Sequence, residues 1–202
     1  ETERALSLAL EDLDGDGWRD LIVGNEGVNR YYLHNGKPNP FGDAAGLNIT
    51  DDAHNTLSIA VGDLNGDGRP DIVAGNGAFD SESQPNRVYY NDGRHEPFGR
   101  VVGEGLWTDV SLTTAVALSD LDQDGDLDVV VRNSWPINEQ ESYILENNGT
   151  SKPFNAIQPV GPLFSEQPRG GLGLIVADFT GDGIEDLLAV NGDEFGPRLN
   201  HM

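Results

Sequence analysis

Four acidic segments of this chain place oxygen-bearing side chains at the same spacing. They read DLDGDGWRD at residues 12–20, DLNGDGRPD at 63–71, DLDQDGDLD at 120–128 and DFTGDGIED at 178–186. We number the positions of each segment from one to nine, starting at its first aspartate. Oxygen ligands at alternate positions, with a glycine at position six for a sharp turn, suit a hard cation that takes six or more oxygens. The spacing therefore predicts calcium binding.

Two other calcium motifs do not fit these segments. An EF-hand carries a glutamate at position twelve between flanking helices, whereas position twelve is apolar in all four segments (Val23, Ala74, Val131 and Ala189). The nine-residue glycine and aspartate repeat of β-roll proteins is absent as well. One such segment could be a solvated Asp-Gly turn, but four in register argue against that interpretation.

The segments recur at intervals of 51, 57 and 58 residues, which indicates a repeat protein. Mostly apolar residues stand six, four and two positions before each segment, and small residues alternate with them. They are Leu6, Leu8 and Leu10; Leu57, Ile59 and Val61; Thr114, Val116 and Leu118; Leu172, Leu174 and Val176. This period of two predicts a β-strand. Since a second apolar run follows each segment, each segment is predicted to join two strands of a hairpin.

Two further strands are predicted in each of the first three repeats. Aromatic and β-branched residues end in the turn pairs Asn-Gly or Asp-Gly at 29–36, 86–93 and 142–149, which is typical of a strand closed by a tight turn. A poorer fourth strand follows the Pro-Phe pairs at 40–41, 97–98 and 153–154. Four strands per repeat predict an all-β propeller of about four four-stranded blades. The expected blades cover residues 5–52, 53–109, 110–168 and 169–202, three of them complete and the last one partial.

The repeats resemble the FG-GAP/VCBS family, the calcium-loop blades of integrin α-subunit heads and of many bacterial surface and secreted proteins. The resemblance implies that side chains at positions one, three, five and nine and the backbone carbonyl at position seven hold the ion. The implied ligands are Asp12, Asp14, Asp16, Trp18 and Asp20 in loop one; Asp63, Asn65, Asp67, Arg69 and Asp71 in loop two; Asp120, Asp122, Asp124, Asp126 and Asp128 in loop three; and Asp178, Thr180, Asp182, Ile184 and Asp186 in loop four. Up to four calcium ions are implied, and the fourth site is expected to be the weakest because Thr180 is neutral.

The composition narrows the range of partners. Thirty-five acidic and twelve basic residues give a formal net charge of −23. Nucleic acids and anionic membrane surfaces require basic patches, so neither is expected as a partner. Cysteine is absent, and no apolar run approaches the ~18 residues of a membrane span. Because such loops usually need more free calcium than resting cytosol offers, we expect a secreted or cell-surface protein.

A few residues outside the loops could also carry chemistry. Trp18, Trp107 and Trp135 could stack against sugar rings, although aromatic residues of a propeller more often pack in its interior. His34 aligns with Asn91 and Asn147, which favours a turn residue over a metal ligand. Two Asn-x-Thr sequons, at Asn48 and Asn148, are candidate glycosylation sites if the source glycosylates secreted proteins.

The sequence presents no nucleophile with an adjacent base, and its carboxylates are concentrated in the loops, so no enzyme is predicted. We expect a secreted calcium-binding propeller that serves adhesion, ligand binding or extracellular assembly, with a glycan or a protein as ligand. A carbohydrate-binding propeller is the alternative, and a polysaccharide lyase or hydrolase is a weaker one. Because an incomplete last blade leaves a sheet edge unpaired, self-association through that blade, into a filament or a larger ring, is also predicted.

Overall fold

A computed structural model describes residues 3–77, 84–134, 141–155, 157–161, 163, 171–193 and 196–201; Trp135 lies outside them. The described part contains strands and turns and no helix, hence none long and apolar enough to cross a membrane. The strands are β1 (Arg4–Glu11), β2 (Asp20–Tyr32), β3 (Leu47–Gly62), β4 (Asp71–Asn76), β5 (Gln84–Tyr89), β6 (Glu104–Ser111), β7 (Thr113–Ser119), β8 (Asp128–Asn133), β9 (Tyr143–Leu145), β10 (Gly171–Ala177), β11 (Asp186–Asp193) and β12 (Gly196–His201). The predicted all-β class is confirmed.

Hydrogen bonds join the strands in chain order. Strands β1 to β6 form one six-stranded sheet, while β7–β8–β9 and β10–β11–β12 form two three-stranded sheets. Every described strand pair is antiparallel. We call the four units that begin at β1, at Thr56 within β3, at β7 and at β10 repeats one to four. This succession is consistent with a propeller-like fold, and the number of blades and their boundaries stay predictions.

Strand β2 is itself a hairpin. The backbone amide of His34 donates to Asp20 Oδ1 at 2.8 Å, although a fully extended chain of that length would span roughly 45 Å. The reversal lies near Gly27, whose φ is +124°, and Asn25 Nδ2 donates to the carbonyl of Val28 at 2.8 Å. Since only glycine adopts such a φ readily, Gly27 permits the turn. Strand β2 therefore contains both the second and the third strand of repeat one.

Strand β3 passes from one repeat to the next. Its residues 47–55 pair with β2, and its residues 56–62 pair with β4. The outer strand of repeat one thus continues without a loop into the inner strand of repeat two. This continuity holds the second repeat beside the first.

The hydrophobic core lies between successive repeats, in three clusters of buried side chains. They are Leu13, Ile22, Tyr31, Ile49, Ile72, Ala74, Tyr89 and Phe98 between repeats one and two; Leu64, Val73, Val88, Leu106, Val116, Val129, Val131, Tyr143, Leu145 and Phe154 between two and three; and Val130, Leu163, Leu187 and Ala189 between three and four. Ala9, Ala60 and Ala117, the small residues of the inner strands, each pack against one cluster. Small side chains there allow the next repeat to approach closely.

The outer strand of repeat three is shorter than predicted. Val160 pairs with Ile144 through an isolated bridge, with N–O distances of 2.9 and 2.8 Å. Within the described residues, the expected fourth strand of this repeat is reduced to that bridge. Within the described residues, repeat four consists of β10, β11 and β12, and the partial last blade stays a prediction.

Candidate metal-binding loops

The four acidic segments connect the first two strands of each repeat, as predicted. In every loop the aspartate at position one accepts a hydrogen bond from the backbone amide of the glycine at position six. The N–O distances are 2.9 Å from Gly17 to Asp12, 2.8 Å from Gly68 to Asp63, 3.0 Å from Gly125 to Asp120 and 2.9 Å from Gly183 to Asp178. The first carboxylate therefore holds the loop wound around itself.

Positions four and six have a left-handed backbone. Seven of these eight residues are glycines with φ between +71° and +98°, and the exception is Gln123, at position four of loop three, with φ +63°. The side chain at position five accepts a hydrogen bond from the amide two residues later in each loop. These bonds run from Trp18 to Asp16, Arg69 to Asp67, Asp126 to Asp124 and Ile184 to Asp182, at 2.8–3.0 Å. Such Asx turns keep the oxygens of alternate residues on the inside of the loop.

The aspartate at position nine ties each loop to the end of the third strand. Asp20, Asp71 and Asp128 are at most 1% exposed. One oxygen of each accepts from the amide at position two, and the other accepts from a residue just after the third strand. The latter bonds come from His34, Asn91 and Asn147, each at 2.8 Å. In loop four, Asp186 accepts from Phe179 at 2.8 Å and is less deeply buried.

Burial changes the acidity of these last aspartates. The pKa of Asp71 is raised to about 7, mainly by burial; the hydrogen bonds from the two backbone amides oppose this increase, and the nearby carboxylates of Asp67 and Asp63 add to it. Burial is also the main cause of the raised pKa of Asp20 and Asp128. Ionised carboxylates in such surroundings are costly unless a positive charge lies beside them. The arrangement therefore favours a bound cation.

Two loops bring three carboxylates to one point. Oxygens of Asp12, Asp14 and Asp20 lie within 4.8 Å of one another, and so do oxygens of Asp120, Asp122 and Asp124. A calcium ion with bonds of about 2.3–2.6 Å bridges oxygens up to roughly 5 Å apart. The predicted ligands Asp16 and Asp128 stand outside these two groups, and the position-seven carbonyls of Trp18, Arg69, Asp126 and Ile184 stay predicted ligands.

A buried oxygen in loop three tests whether these residues fit a cation. Asp120 Oδ1 is inaccessible to solvent and accepts no hydrogen bond from the described residues. In loop one the corresponding oxygen of Asp12 accepts from Gly15 at 2.8 Å and from Asp16 at 3.1 Å. A buried carboxylate oxygen without a donor is expected to have another positive partner. The donor set is entirely oxygen, which suits calcium rather than a softer metal.

Loops two and four differ from the other two. In loop two, Arg69 Nη1 donates to Asp67 Oδ2 at 2.8 Å, so a predicted ligand carries an internal ion pair. In loop four, Asp178, Thr180 and Asp182 are exposed. The amide of Thr180 donates to Asp186 at 3.1 Å. Neither loop brings three carboxylates together within the described residues.

Several contacts around the loops were not predicted from the sequence. His95 of repeat two places Nδ1 at 2.7 Å from Asp14 Oδ2. The side-chain amide of Asn91 donates to the carbonyl of Leu13 at 2.9 Å, and that of Asn147 donates to the carbonyl of Leu64 at 2.8 Å. Loops one and two therefore each contact the following repeat. Asn91 and Asn147 occupy the same position in their repeats, and this match was the one sign in the sequence of a shared contact.

The turn after the third strand behaves as the alignment predicts. The amide of Gly36 donates to His34 Nδ1 at 3.0 Å, and Gly93 and Gly149 donate in the same way to Asn91 and Asn147. The indole of Trp18 stacks on His34, with ring centroids 4.9 Å apart and planes 4° from parallel. The sequon residues Asn48 and Asn148 are both exposed, and their glycosylation stays a prediction.

Comparisons with known proteins agree with this geometry. The family described as FG-GAP-like repeat matches residues 12–74 and 120–189, and the family described as FG-GAP repeat matches residues 55–94. Cartilage acidic protein 1 of Homo sapiens is 29% identical over 188 residues, which are 90% of this chain and 27% of that protein. Integrin alpha-7 of Mus musculus is 38% identical over 89 residues, 39% of this chain and 8% of the integrin.

The chain thus spans about a quarter of the length of cartilage acidic protein 1. Among solved structures, a Photorhabdus luminescens Tc holotoxin pore superposes with a TM-score of 0.51 and 19% identity. The superposition covers 95% of this chain and 9% of the toxin chain. This similarity concerns the fold alone.

Proposed function

Because this chain belongs to the FG-GAP-like repeat family, we propose that it is a calcium-stabilised, propeller-like module of an extracellular or cell-surface protein. The module serves adhesion or ligand binding rather than catalysis. The observation that supports calcium most directly is Asp120 Oδ1, which is buried and accepts no hydrogen bond from any described residue, in a loop whose carboxylates converge. The names of the relatives, a cartilage protein and an integrin subunit, support the extracellular location and denote no enzyme.

Calcium has a structural role in this proposal. Each ion would neutralise the carboxylates of one loop and hold the first hairpin of a repeat closed. Loop one also contacts the next repeat through Asn91, and loop two through Asn147. Metal binding would therefore stiffen the boundary between repeats as well as the hairpin. A ligand surface on such a scaffold stays in place only while the boundaries are rigid.

Thermal unfolding with and without calcium tests the proposal. Ions that bind only the folded state add RT ln(1 + [L]/Kd) per site, about 2.7 kcal/mol when calcium is at 100 times Kd. We expect the melting temperature to fall by many degrees when a calcium chelator is added, and to recover with excess calcium but less with magnesium. Asp120→Asn should remove part of the calcium response, whereas the exposed Asp43→Asn should leave it unchanged. Identical melting curves with and without chelator would refute calcium binding.

The end faces of the described repeats suggest a partner. Leu8 and Leu10 of β1 are 65% and 53% exposed, whereas their counterparts Ile59 and Val61 pack against the core between repeats one and two. At the other end, Ile175 and Phe179 are 52% and 54% exposed. Their counterparts are Ala60 and Leu64, which pack between repeats two and three. The two exposed faces are thus the two halves of one type of interface.

We propose that repeat four of one copy packs on repeat one of a second copy, in the way that successive repeats pack within the chain. The contact is head-to-tail, so it gives an open array or a larger ring. Leu8→Lys and Ile175→Lys each block one face, and sedimentation velocity should find each variant monomeric. An equimolar mixture of the two should form only a dimer, because one intact face remains on each. Wild-type protein that is monomeric at all concentrations would exclude this assembly, and Val102→Lys, at another exposed site, is the control.

A further inference from the structure

An open groove of about 600 Å³ lies between repeats two and three, away from the acidic loops. Its lining combines three aromatic and three polar side chains. They are Tyr90, Trp107, Phe154, Glu104, Asn155 and Gln158. Strand β6 supplies Glu104 and Trp107, and Phe154, Asn155 and Gln158 of repeat three complete the lining. Its volume is within the range of small-ligand sites, which combine apolar walls with a few polar groups.

Trp107 is held in this groove by a strained backbone. Its φ is +97°, and the only other described residue besides glycine with a positive φ is Gln123. A bulky residue in this region costs about 1–3 kcal/mol, and such strain clusters at functional sites. The indole is half-buried and packs against the core cluster between repeats two and three. The ring is therefore a fixed surface with one part open to the groove.

The corresponding groove one repeat earlier lacks this ring. It lies between repeats one and two and is lined by Tyr31, Asn48, Asp51, Phe98 and Arg100, among others. Thr50 stands at the position equivalent to Trp107, 57 residues earlier, and is buried. The fold therefore forms a groove at both boundaries, and only the second carries an indole.

We propose that the groove between repeats two and three binds a neutral carbohydrate, with Trp107 stacking against one face of a sugar ring. The negative face of an aromatic ring attracts the weakly positive C–H groups of a sugar. Asn155 and Gln158 offer both donors and acceptors to the hydroxyls of a sugar. A purely apolar peptide would leave these two side-chain amides without hydrogen bonds. The inference names a ligand for the proposed adhesion module and rests on that proposal.

The charges around the groove favour an uncharged sugar. The described lining residues of the groove include no lysine or arginine that could bind an acidic glycan. Lys152 forms an ion pair with the lining residue Glu104. The chain carries a net charge of −23, which repels acidic polysaccharides. Burial raises the pKa of Tyr90, with Glu104 and Asp71 adding to the effect. The phenol of Tyr90 therefore stays a neutral donor at physiological pH.

Titration of the calcium-loaded protein with glucose, galactose, mannose and N-acetylglucosamine, and then with their neutral oligomers, tests the proposal by calorimetry. We expect at least one of these sugars to bind. Trp107→Gly should weaken that binding at least tenfold, and this variant removes the ring while tolerating the positive φ. Gln158→Ala should weaken it less, and Asp43→Asn, at an exposed site outside the groove, should not change it. Melting curves in calcium check that each variant is folded.

Three outcomes would overturn the inference. They are no binding of any neutral sugar at millimolar concentration, equal binding by wild type and Trp107→Gly, and tighter binding of a proline-rich peptide, which also docks in aromatic grooves. The chelator experiment separates this result from the proposed function. A protein that is stabilised by calcium but binds no sugar keeps the calcium-stabilised module and loses only the carbohydrate site.

Discussion

The side-chain amide of Asn86 donates to Thr113 Oγ1 at 2.9 Å across the boundary between repeats two and three. Thr113 in turn donates to Asn133 Oδ1 at 2.8 Å, and all three side chains are buried. The same bridge joins repeats one and two, where Asn29 donates to Thr56 and Thr56 donates to Asn76, at 2.8 and 2.7 Å. A buried threonine hydroxyl thus satisfies one polar group on each side of the boundary.

Removing the hydroxyl of Thr113 should lower the free energy of unfolding, because two buried hydrogen bonds are lost. Thr113→Val keeps the shape but removes the hydrogen bonds that the Thr113 hydroxyl makes with Asn86 Nδ2 and Asn133 Oδ1, at about 1–3 kcal/mol for each buried bond that is lost. We expect a loss of at least about 2 kcal/mol in urea unfolding measured in calcium. Thr113→Ser keeps the hydroxyl and should lose clearly less. Equal losses for the two variants would mean that packing rather than hydrogen bonding matters there.

The boundary between repeats three and four is built differently, and this predicts an unusual response to substitution. Gly171 stands where the other boundaries have threonine, and a Cβ there would lie 2.7 Å from both Arg132 Nε and the carbonyl oxygen of Asn133. Gly171→Thr should therefore destabilise the protein by about 1–3 kcal/mol through overpacking, although it restores the residue of the other repeats. Gly173→Ala, whose Cβ would meet nothing within 4 Å, is the matched control. Thermal unfolding that ranks Gly171→Thr as the more stable variant would contradict this account.

The stability of the metal-free protein should depend on pH through Asp71. Its pKa is about 7 in the folded protein against an ordinary 3.8, so the folded state binds the proton more tightly than the unfolded chain. This contribution to stability is present below about pH 4 and is lost as the pH rises through 7, at about 1.4 kcal/mol per pH unit. Asp71→Asn should show a flatter decline in the free energy of unfolding from pH 5 to 8 than wild type. The comparison uses metal-stripped protein, with Asp43→Asn as an exposed control that should retain the wild-type slope.

Gln123 is expected to be a suboptimal residue for its backbone. At φ +63°, glycine avoids the steric cost of a side chain, and we expect Gln123→Gly to raise the free energy of unfolding by about 0.5–1 kcal/mol. The converse change at the equivalent position of loop two, Gly66→Gln, should lower the free energy of unfolding by a similar amount. Only the backbone cost applies there, because an added Cβ would meet nothing within 4 Å. Chemical unfolding of both variants in saturating calcium measures the two effects. If Gln123→Gly lowered and Gly66→Gln raised the free energy of unfolding, the positive φ would not be what determines stability at these positions.

The four predicted sites should differ in calcium affinity. Loops one and three offer four carboxylates each, and calcium affinity rises with ligand charge. In loop two Arg69 is paired with Asp67, and in loop four Thr180 replaces a carboxylate and the loop is more exposed. Calorimetry on Asp16→Ala, Asp67→Ala, Asp124→Ala and Asp182→Ala should identify sites one and three as the tightest and site four as the weakest. Arg69→Ala should tighten site two, and a strongest site four would contradict the charge argument.

The spacing of residues determined much of the local architecture. Alternating apolar residues before each loop predicted the inner strands, and the position of His34 predicted its role in a turn that Asn91 and Asn147 form in later repeats. These features depend on neighbours within a few residues, so they are visible in the chain itself. The alternating small residues, such as Ala60, are also visible in the chain, but their packing against a core cluster is seen only in the structure.

Other features depended on which repeats become neighbours. The pairing of Asn86 with Thr113, the approach of His95 to Asp14 and the groove at Trp107 all join residues from different repeats. A sequence read one repeat at a time does not say which side chains meet across a boundary, because that depends on the angle and distance at which repeats pack. The tertiary structure also decided that Asp120 Oδ1 is buried with no hydrogen-bond donor among the residues that the structure describes, since burial is a property of everything packed around an atom. The sequence by itself therefore determined the strands and the acidic loops, and only the tertiary packing decided how the loops are supported and where a groove opens.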